Sequence, residues 1–114
     1  MRAAHGEVGP VQITAAIIAL NEETNIEACL ASLAWAGECV VVDGVSTDAT
    51  VALAVRAGAR VVSRRFDSFP SQRNHALDQV RTEWVLFVDA DERVEASLAD
   101  EIRRVTAVCH SEEP

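Results

Sequence analysis

Short apolar runs alternate with amphipathic segments along the chain, four times in succession. The runs are rich in β-branched residues and end at polar or glycine-containing segments, which is typical of β-strands. Strands are predicted at 13–19, 39–42, 60–63 and 84–88. The segments between them carry apolar residues at helical spacing, and helices are predicted at about 25–37, 47–57, 70–80 and 95–108. This order predicts an α/β domain in which helices cover both faces of a mostly parallel sheet.

Individual residues indicate where the predicted helices begin and end. Thr24 and Glu27 have the spacing of a capping box at the start of the first helix. Ser46 is a suitable N-cap for the second helix, and Gly58 is suited to end it in the left-handed conformation. Pro70 fits the first turn of the third helix.

Composition and charge favour one folded domain and exclude several functions. Hydrophobic residues make up 49% of the 114 residues and charged residues 25%, as in ordinary globular proteins. We expect a flexible leader at 1–10, the domain at 11–108 and a frayed acidic tail at 109–114. The formal charge of −8 disfavours nucleic acid as a partner. Every basic residue is arginine, which excludes a Schiff-base lysine and a P-loop lysine.

Cysteine usage and hydropathy bear on the compartment. Cys29, Cys39 and Cys109 form no C-x-x-C pair and have no zinc-type histidine spacing. We therefore expect free thiols in a reducing compartment, with a reactive thiol as the alternative. The apolar stretch at 13–20 is far shorter than the roughly 20 residues of a membrane helix. These features predict a cytoplasmic protein, with peripheral association at the inner face of the membrane as the alternative.

Polar residues follow three of the predicted strands at their carboxyl ends. Asn21 and Glu22 follow the first strand, Asp43 the second, and Asp89 and Asp91 the fourth. The carboxyl ends of parallel strands share one edge of a sheet, and ligands bind there. Acidic residues gathered at one edge repel each other unless a cation or the donor groups of a ligand lie between them. For any single residue, a turn or cap role is the alternative.

The D-x-D pair is the sharper signal at this edge. Two carboxylates on a loop leaving a buried strand suit Mg²⁺ or Mn²⁺, because the ion keeps other positions for water and phosphate oxygens. Arg73 opens the helix before the fourth strand, where a guanidinium is able to face a diphosphate. An exposed helical arginine without a ligand is the alternative.

Four segments are similar, in order and spacing, to the glycosyltransferases of family 2. They are 16–22, 42–50, 72–77 and 85–92. The segment 69–94 particularly resembles the bacterial branch that adds sugars to lipopolysaccharide core or related envelope glycans. The resemblance covers about 13–105 and implies a Rossmann-like GT-A fold with strand order 3-2-1-4, in a three-layer α/β/α arrangement.

The resemblance also implies a ligand and a site. The ligand is a nucleoside-diphosphate sugar, usually a UDP-sugar, together with Mg²⁺ or Mn²⁺. The implied substrate-binding residues are Ala19, Asn21, Glu22, Asp43, Gly44, Arg73 and Asp89, and the implied metal-binding residues are Asp89 and Asp91.

Two departures from the family pattern qualify the predicted activity. Val45 stands where the family often has a small or polar residue, and the family continues well beyond the D-x-D with an acceptor site and a general base. The sequence ends at Pro114, so we expect the donor-binding half of an inverting glycosyltransferase, with its catalytic base unknown. A truncated, non-catalytic nucleotide-binding or assembly module is the alternative. The fourth strand would then be an open edge, through which we expect a homo-oligomer.

Overall fold

The computed structural model describes residues 12–111, in which strands and helices alternate. The strands are β1 (Ile13–Ala19), β2 (Glu38–Asp43), β3 (Arg60–Ser63) and β4 (Trp84–Asp89). The helices are α1 (Ile26–Ala31), α2 (Thr50–Arg56), α3 (Phe69–Asp78) and α4 (Ala96–Ser111). The predicted leader at 1–10 and the last residues of the predicted tail, 112–114, lie outside the described residues.

The four strands form one parallel sheet in the order β3-β2-β1-β4, which confirms the predicted order. β1 is central between β2 and β4 because both strands pair with it along most of its length. At the carboxyl edge, Ala19 pairs with Asp43 and Ile18 pairs with Asp89. The register therefore places Asp43 and Asp89 on the two sides of the end of β1.

Helices cover both faces of the sheet, as predicted. Side chains alternate between the two faces along each strand. One core cluster joins the sheet to α1 and α2, through Ala15, Ile17, Ala19, Val41, Val88, Ile26, Cys29, Leu30 and Ala54. The other joins it to α3, through Ala16, Val40, Val42 and Ala76. The result is the three-layer α/β/α arrangement.

The start of α1 differs from the prediction. Asn25 is the N-cap residue and no side chain caps the helix, so the predicted capping box of Thr24 and Glu27 is wrong. The side-chain amide of Asn25 instead donates to the Glu22 carboxylate, at 3.1 Å. The helix also ends at Ala31, well before the predicted end at 37.

The start of α2 also differs, whereas other helix ends agree with the prediction. The helix begins at Thr50, and the predicted N-cap Ser46 is wrong because its hydroxyl donates to Asp43. Gly58 has a φ of 94°, which confirms the left-handed residue after α2. Pro70 lies in the first turn of α3, as predicted.

One border of the described domain is apolar and open. β4 pairs with β1 alone within the sheet, and α4, which continues past the predicted end at 108, has only sparse contacts with the other elements. Leu98 and Val105 of α4 are 50% and 43% exposed. Among the helices of residues 12–111, none combines the length and the hydropathy needed to cross a membrane.

Candidate functional site

The carboxyl edge of the sheet brings together the predicted residues of three strands. Asp43 and Asp89 end β2 and β4, and Asn21 and Glu22 lie in the loop that follows β1. The strand register aligns these ends with the end of β1. Three loops therefore meet at this edge: 20–25, 44–49 and 90–95.

Asp43 is buried and bonded to its own loop. Its side chain is among the fully buried ones, with the residue 1% exposed. Oδ2 accepts hydrogen bonds from the backbone N–H groups of Val45, at 3.0 Å, and Ser46, at 2.8 Å. Oδ1 accepts one from the Ser46 hydroxyl, at 2.5 Å. Because hydrogen bonds to a carboxylate are stronger than neutral ones, Asp43 fixes the conformation of the loop 44–49.

Asn21 connects the loop after β1 to the loop after β2. Its backbone N–H donates to the Ser46 hydroxyl oxygen at 2.8 Å, and its Oδ1 accepts from the backbone N–H of Thr47 at 2.8 Å. Asn21 and Val45 both have a positive φ, of 55° and 71°. Asparagine adopts this left-handed region fairly often, whereas a β-branched residue rarely does. The hydrogen bonds from Val45 and Ser46 to the Asp43 carboxylate therefore hold Val45 in an unfavourable backbone conformation.

A second set of contacts joins the same two loops. The backbone N–H of Glu22 donates to the Thr50 hydroxyl oxygen at 2.8 Å, and the Thr50 hydroxyl donates to Asp48. Asp48 also accepts from the backbone of Glu23 at 3.2 Å, and the Glu23 carboxylate accepts from Ala49 N–H at 3.0 Å. The hydrogen bond from the Thr50 side chain is the main cause that lowers the pKa of Asp48. The two loops thus form one hydrogen-bonded unit.

Gly44 is buried in a place where a side chain does not fit. A Cβ atom there would lie 2.9 Å from the Cβ of Phe66 and 3.5 Å from a methyl carbon of Leu20. The backbone N–H of Gly44 donates to the carbonyl of Ala19 at 2.9 Å. Glycine therefore allows the loops that follow β1, β2 and β3 to pack closely together at this edge.

The D-x-D pair differs from Asp43 because its carboxylates face solvent. Asp89 and Asp91 are both exposed. Their contacts run through the backbone: Asp89 N–H donates to the Glu92 carboxylate at 2.8 Å, and the Asp91 carbonyl accepts from Arg93 at 3.0 Å. Within residues 12–111, no hydrogen bond or ion pair engages either aspartate carboxylate.

The donor set at this pair fits a hard divalent cation. The described part of the chain holds no group of three or more His, Cys, Asp or Glu side chains arranged for a metal ion. Asp89 and Asp91 offer two exposed carboxylates that no protein donor engages. Mg²⁺ and Mn²⁺ suit such a pair because they commonly take one or two carboxylates and complete their shell with water and phosphate oxygens.

Arg73 lies on the opposite side of the sheet from α1. Its guanidinium carbon is 5.5 Å from the ring centroid of Phe87, in the core cluster that joins β4 to α3. Phe87 and Asp89 are two residues apart on β4, so their side chains share one face of the sheet. Arg73 is exposed and forms no ion pair with another described residue. Arg73 therefore lies on the face of the sheet that Phe87 and Asp89 share.

The residues that join the loops were not predicted as part of a site. Ser46 and Thr50 lie in a run of small polar residues after β2, within the segment 42–50 that resembles the family, but nothing in the sequence paired them with the loop after β1. Their partners, Asn21 and Glu22, are 25 and 28 residues away in sequence. Local spacing does not reveal such pairs.

A cavity of about 610 Å³ lies at the other, amino edge of the sheet. Leu30, Cys39 and Gly58 are among the residues that line it, and none of the predicted site residues does. Burial raises the pKa of the Cys39 thiol, which keeps the thiol protonated at neutral pH. The chemistry that suits a phosphate ligand is therefore at the carboxyl edge and not in this cavity.

Comparison with known proteins assigns most of the chain to a single family. Residues 14–104 match the family model described as Glycosyl transferase family 2. An uncharacterized glycosyltransferase of Rickettsia conorii is 38% identical over 97 residues, which are 84% of this chain and 34% of that protein. The lipopolysaccharide core biosynthesis glycosyltransferase LpsC of Rhizobium meliloti is 37% identical over 93 residues, which are 77% of this chain and 34% of that protein. The chain thus spans about a third of the length of these curated relatives.

Solved structures confirm the fold. Glucosyl-3-phosphoglycerate synthase from Mycobacterium tuberculosis, crystallised with Mn²⁺, UDP and glucosyl-3-phosphoglycerate, is 28% identical with a TM-score of 0.66. That match covers 73% of this chain and 36% of the synthase. A mycobacterial protein of known structure is 28% identical with a TM-score of 0.74, over 86% of this chain and 37% of its own.

Proposed function

The chain belongs to glycosyl transferase family 2, and from this premise we propose that its carboxyl edge binds a nucleoside-diphosphate sugar, with a UDP-sugar as the favoured donor. One observation carries the proposal: Asp89 and Asp91 present two unengaged carboxylates beside a pair of loops that hydrogen bonds hold together. Such an edge offers a cation site next to a preformed surface. Crystals of the M. tuberculosis synthase with UDP and either Mn²⁺ or Mg²⁺ support this choice of ligand.

The proposed diphosphate position lies next to the D-x-D pair. Asp91, together with Asp89, would hold Mg²⁺ or Mn²⁺, and Asp89 is also suited to accept from a ribose hydroxyl. The ion supplies positive charge where negative charge develops on the leaving diphosphate. Arg73, which shares the sheet face of Asp89, is free to donate to a phosphate oxygen.

The proposed nucleoside position lies against the loops after β1 and β2. We assign Ala19, Asn21, Glu22 and Gly44 to this position. Hydrogen bonds of their backbone groups hold the two loops together there. The Asp43 carboxylate accepts three hydrogen bonds from its own loop, and a carboxylate has about four acceptor positions. One acceptor position therefore remains for an N–H group of a base.

Sugar transfer by the complete protein is a further part of the proposal. It requires an acceptor hydroxyl and a base that removes its proton. Glu92 does not suit that role, because its carboxylate accepts from Asp89 N–H and thereby closes the turn after β4. We therefore assign donor binding to residues 12–111 and leave the base unassigned. An envelope glycan is the proposed acceptor, supported by the likeness to LpsC, and the reaction would take place at the inner face of the membrane.

A non-catalytic assembly module is the second candidate function. The open edge of β4 and the half-exposed apolar residues of α4 favour it, because such surfaces pair with another chain. It differs from the first proposal in requiring no nucleotide.

Calorimetric titration of UDP, with and without MnCl₂, tests the first proposal. We expect Mn²⁺ to strengthen UDP binding and Asp91→Asn to abolish that increase. Asp100→Asn is the matched control, because it removes the same charge from an exposed position on α4. Equal UDP affinity with and without Mn²⁺ would contradict the metal site, and no binding at millimolar UDP would favour the assembly module.

A further inference from the structure

The hydroxyl of Ser46 bonds both to the last residue of β2 and to the loop that follows β1. It donates to Asp43 Oδ1 at 2.5 Å and accepts from the backbone N–H of Asn21 at 2.8 Å. Asn21 makes a second hydrogen bond to the same loop, because its Oδ1 accepts from the backbone N–H of Thr47 at 2.8 Å. We call these four residues, Asn21, Asp43, Ser46 and Thr47, the loop clasp.

In the described chain, two residues other than glycine have a positive φ. Asn21 belongs to the loop clasp, and Val45 directly precedes its member Ser46. Asn21 has a φ of 55° and Val45 a φ of 71°. An unfavourable backbone conformation persists only where surrounding contacts determine it. The backbone N–H of Val45 donates to Asp43 at 3.0 Å, and the next residue, Ser46, donates to the same carboxylate through both its N–H and its hydroxyl. The clasp therefore holds the part of the loop from Gly44 to Thr47 in this shape.

We propose that Ser46 is a positioning residue for the nucleotide: its hydroxyl fixes the loop after β1 against the loop after β2, so that the surface for the nucleoside exists before the ligand arrives. This inference rests on the proposed donor-binding function. Ser46 acts through Asn21 and Asp43, and its role requires no contact with the ligand. Without the hydroxyl, the contacts of Glu22 and Glu23 with the loop after β2 remain, but the backbone of Asn21 loses its partner. Binding then has to order this part of the site, and that ordering reduces affinity.

The test compares three variants of the full chain by UDP titration in the presence of Mn²⁺ and by thermal unfolding. Ser46→Ala should weaken UDP binding about tenfold, which corresponds to about 1.4 kcal/mol of loop ordering added to the binding step. Ser46→Thr keeps the hydroxyl and should restore most of the affinity. Thr82→Val is the control, because it removes a hydroxyl that bonds to Thr14 and to the Trp84 carbonyl at the amino end of β4. It should lower the melting temperature and leave UDP affinity unchanged.

Two results would overturn the inference. One is a Ser46→Ala variant that binds UDP as the wild type does. The other is a Thr82→Val variant that loses as much affinity as Ser46→Ala, since the effect would then follow general destabilisation.

Amide hydrogen exchange separates a failure of the clasp from a failure of the proposed function. If the wild-type chain binds no UDP, donor binding by this chain is wrong, and the role of Ser46 in binding is wrong with it. The exchange of the Asn21 and Thr47 amides still decides whether Ser46 holds the loops. Faster exchange of both in Ser46→Ala supports the clasp, and unchanged exchange contradicts it.

Discussion

Replacement of Gly44 by alanine tests the close packing behind the candidate site. The new Cβ atom would lie 2.9 Å from the Cβ of Phe66, whereas carbon atoms in contact prefer about 3.5–4.0 Å. A Cβ atom does not rotate away from its neighbour as the end of a long side chain does. The backbone of one loop must therefore shift, and overpacking of this kind costs about 1–3 kcal/mol.

This cost predicts a measurable loss of thermal stability. For a domain of about 100 residues, 1 kcal/mol at the midpoint corresponds to about 4–8 °C. Gly44→Ala should therefore lower the melting temperature by about 4–24 °C, as followed by circular dichroism. Because Gly44 directly follows Asp43 and its N–H bonds to Ala19, the shift should also move the loop 44–49 and weaken UDP binding.

Gly58→Ala is the matched control for this prediction. A Cβ at Gly58 meets no atom within 4 Å, but the φ of +94° disfavours any side chain, at a cost of about 1–2 kcal/mol. Gly58 follows α2 and lies away from the carboxyl edge, so its variant should lose stability and keep its UDP affinity. An unchanged melting temperature and UDP affinity in Gly44→Ala would refute the packing argument.

Three further predictions concern other parts of the chain. The hydrogen bond from Arg60 lowers the pKa of Glu38 from its ordinary 4.5, so the pair stabilises the fold above that pH and loses this contribution as the pH falls through the lowered pKa. Glu38→Gln should therefore reduce the acid-induced loss of stability in urea unfolding, and an unaltered pH profile would contradict this. Burial raises the pKa of Cys29 to about 11, whereas Cys109 is exposed, so a thiol reagent at neutral pH should modify Cys109 first and Cys29 only on unfolding. The open edge of β4 predicts a dimer or larger oligomer in analytical ultracentrifugation, and a monomer at high concentration would contradict it.

The sheet could be predicted because its signal is local. Val40, Val41 and Val42 form a β-branched run that is buried on both faces, and a run of this kind indicates a central strand of a covered parallel sheet. Helix starts carried a weaker signal. The hydroxyl of a serine before a helix is able to cap the helix or to bond to other nearby groups, and the sequence does not distinguish the two. Ser46 bonds to Asp43 and Asn21 instead of capping α2.

The candidate site could be predicted in its location but not in its internal contacts. Strand ends located Asp43, Asp89 and Asp91 at one edge, because parallel strands deliver their loops there. Sequence did not distinguish a carboxylate that faces solvent from one that its own loop encloses. That difference depends on the positions of backbone N–H groups, and these follow from the left-handed turn at Val45.

The acidic residues at the carboxyl edge therefore fall into two classes with different electrostatic consequences. Asp43 and Asp48 accept hydrogen bonds from backbone N–H groups of the two loops, and these dipoles offset their charge. The carboxylates of Asp89 and Asp91 have no such donors in the described chain, so they repel a diphosphate until a cation lies between them. In the proposed site, cation binding and nucleotide binding strengthen each other by the same factor, because coupling between two sites is reciprocal. The factor by which Mn²⁺ raises UDP affinity should equal the factor by which UDP raises Mn²⁺ affinity. The coupling arises from the negative charge of Asp89 and Asp91, which no donor of the described chain offsets. Both factors should therefore fall to about one in Asp91→Asn.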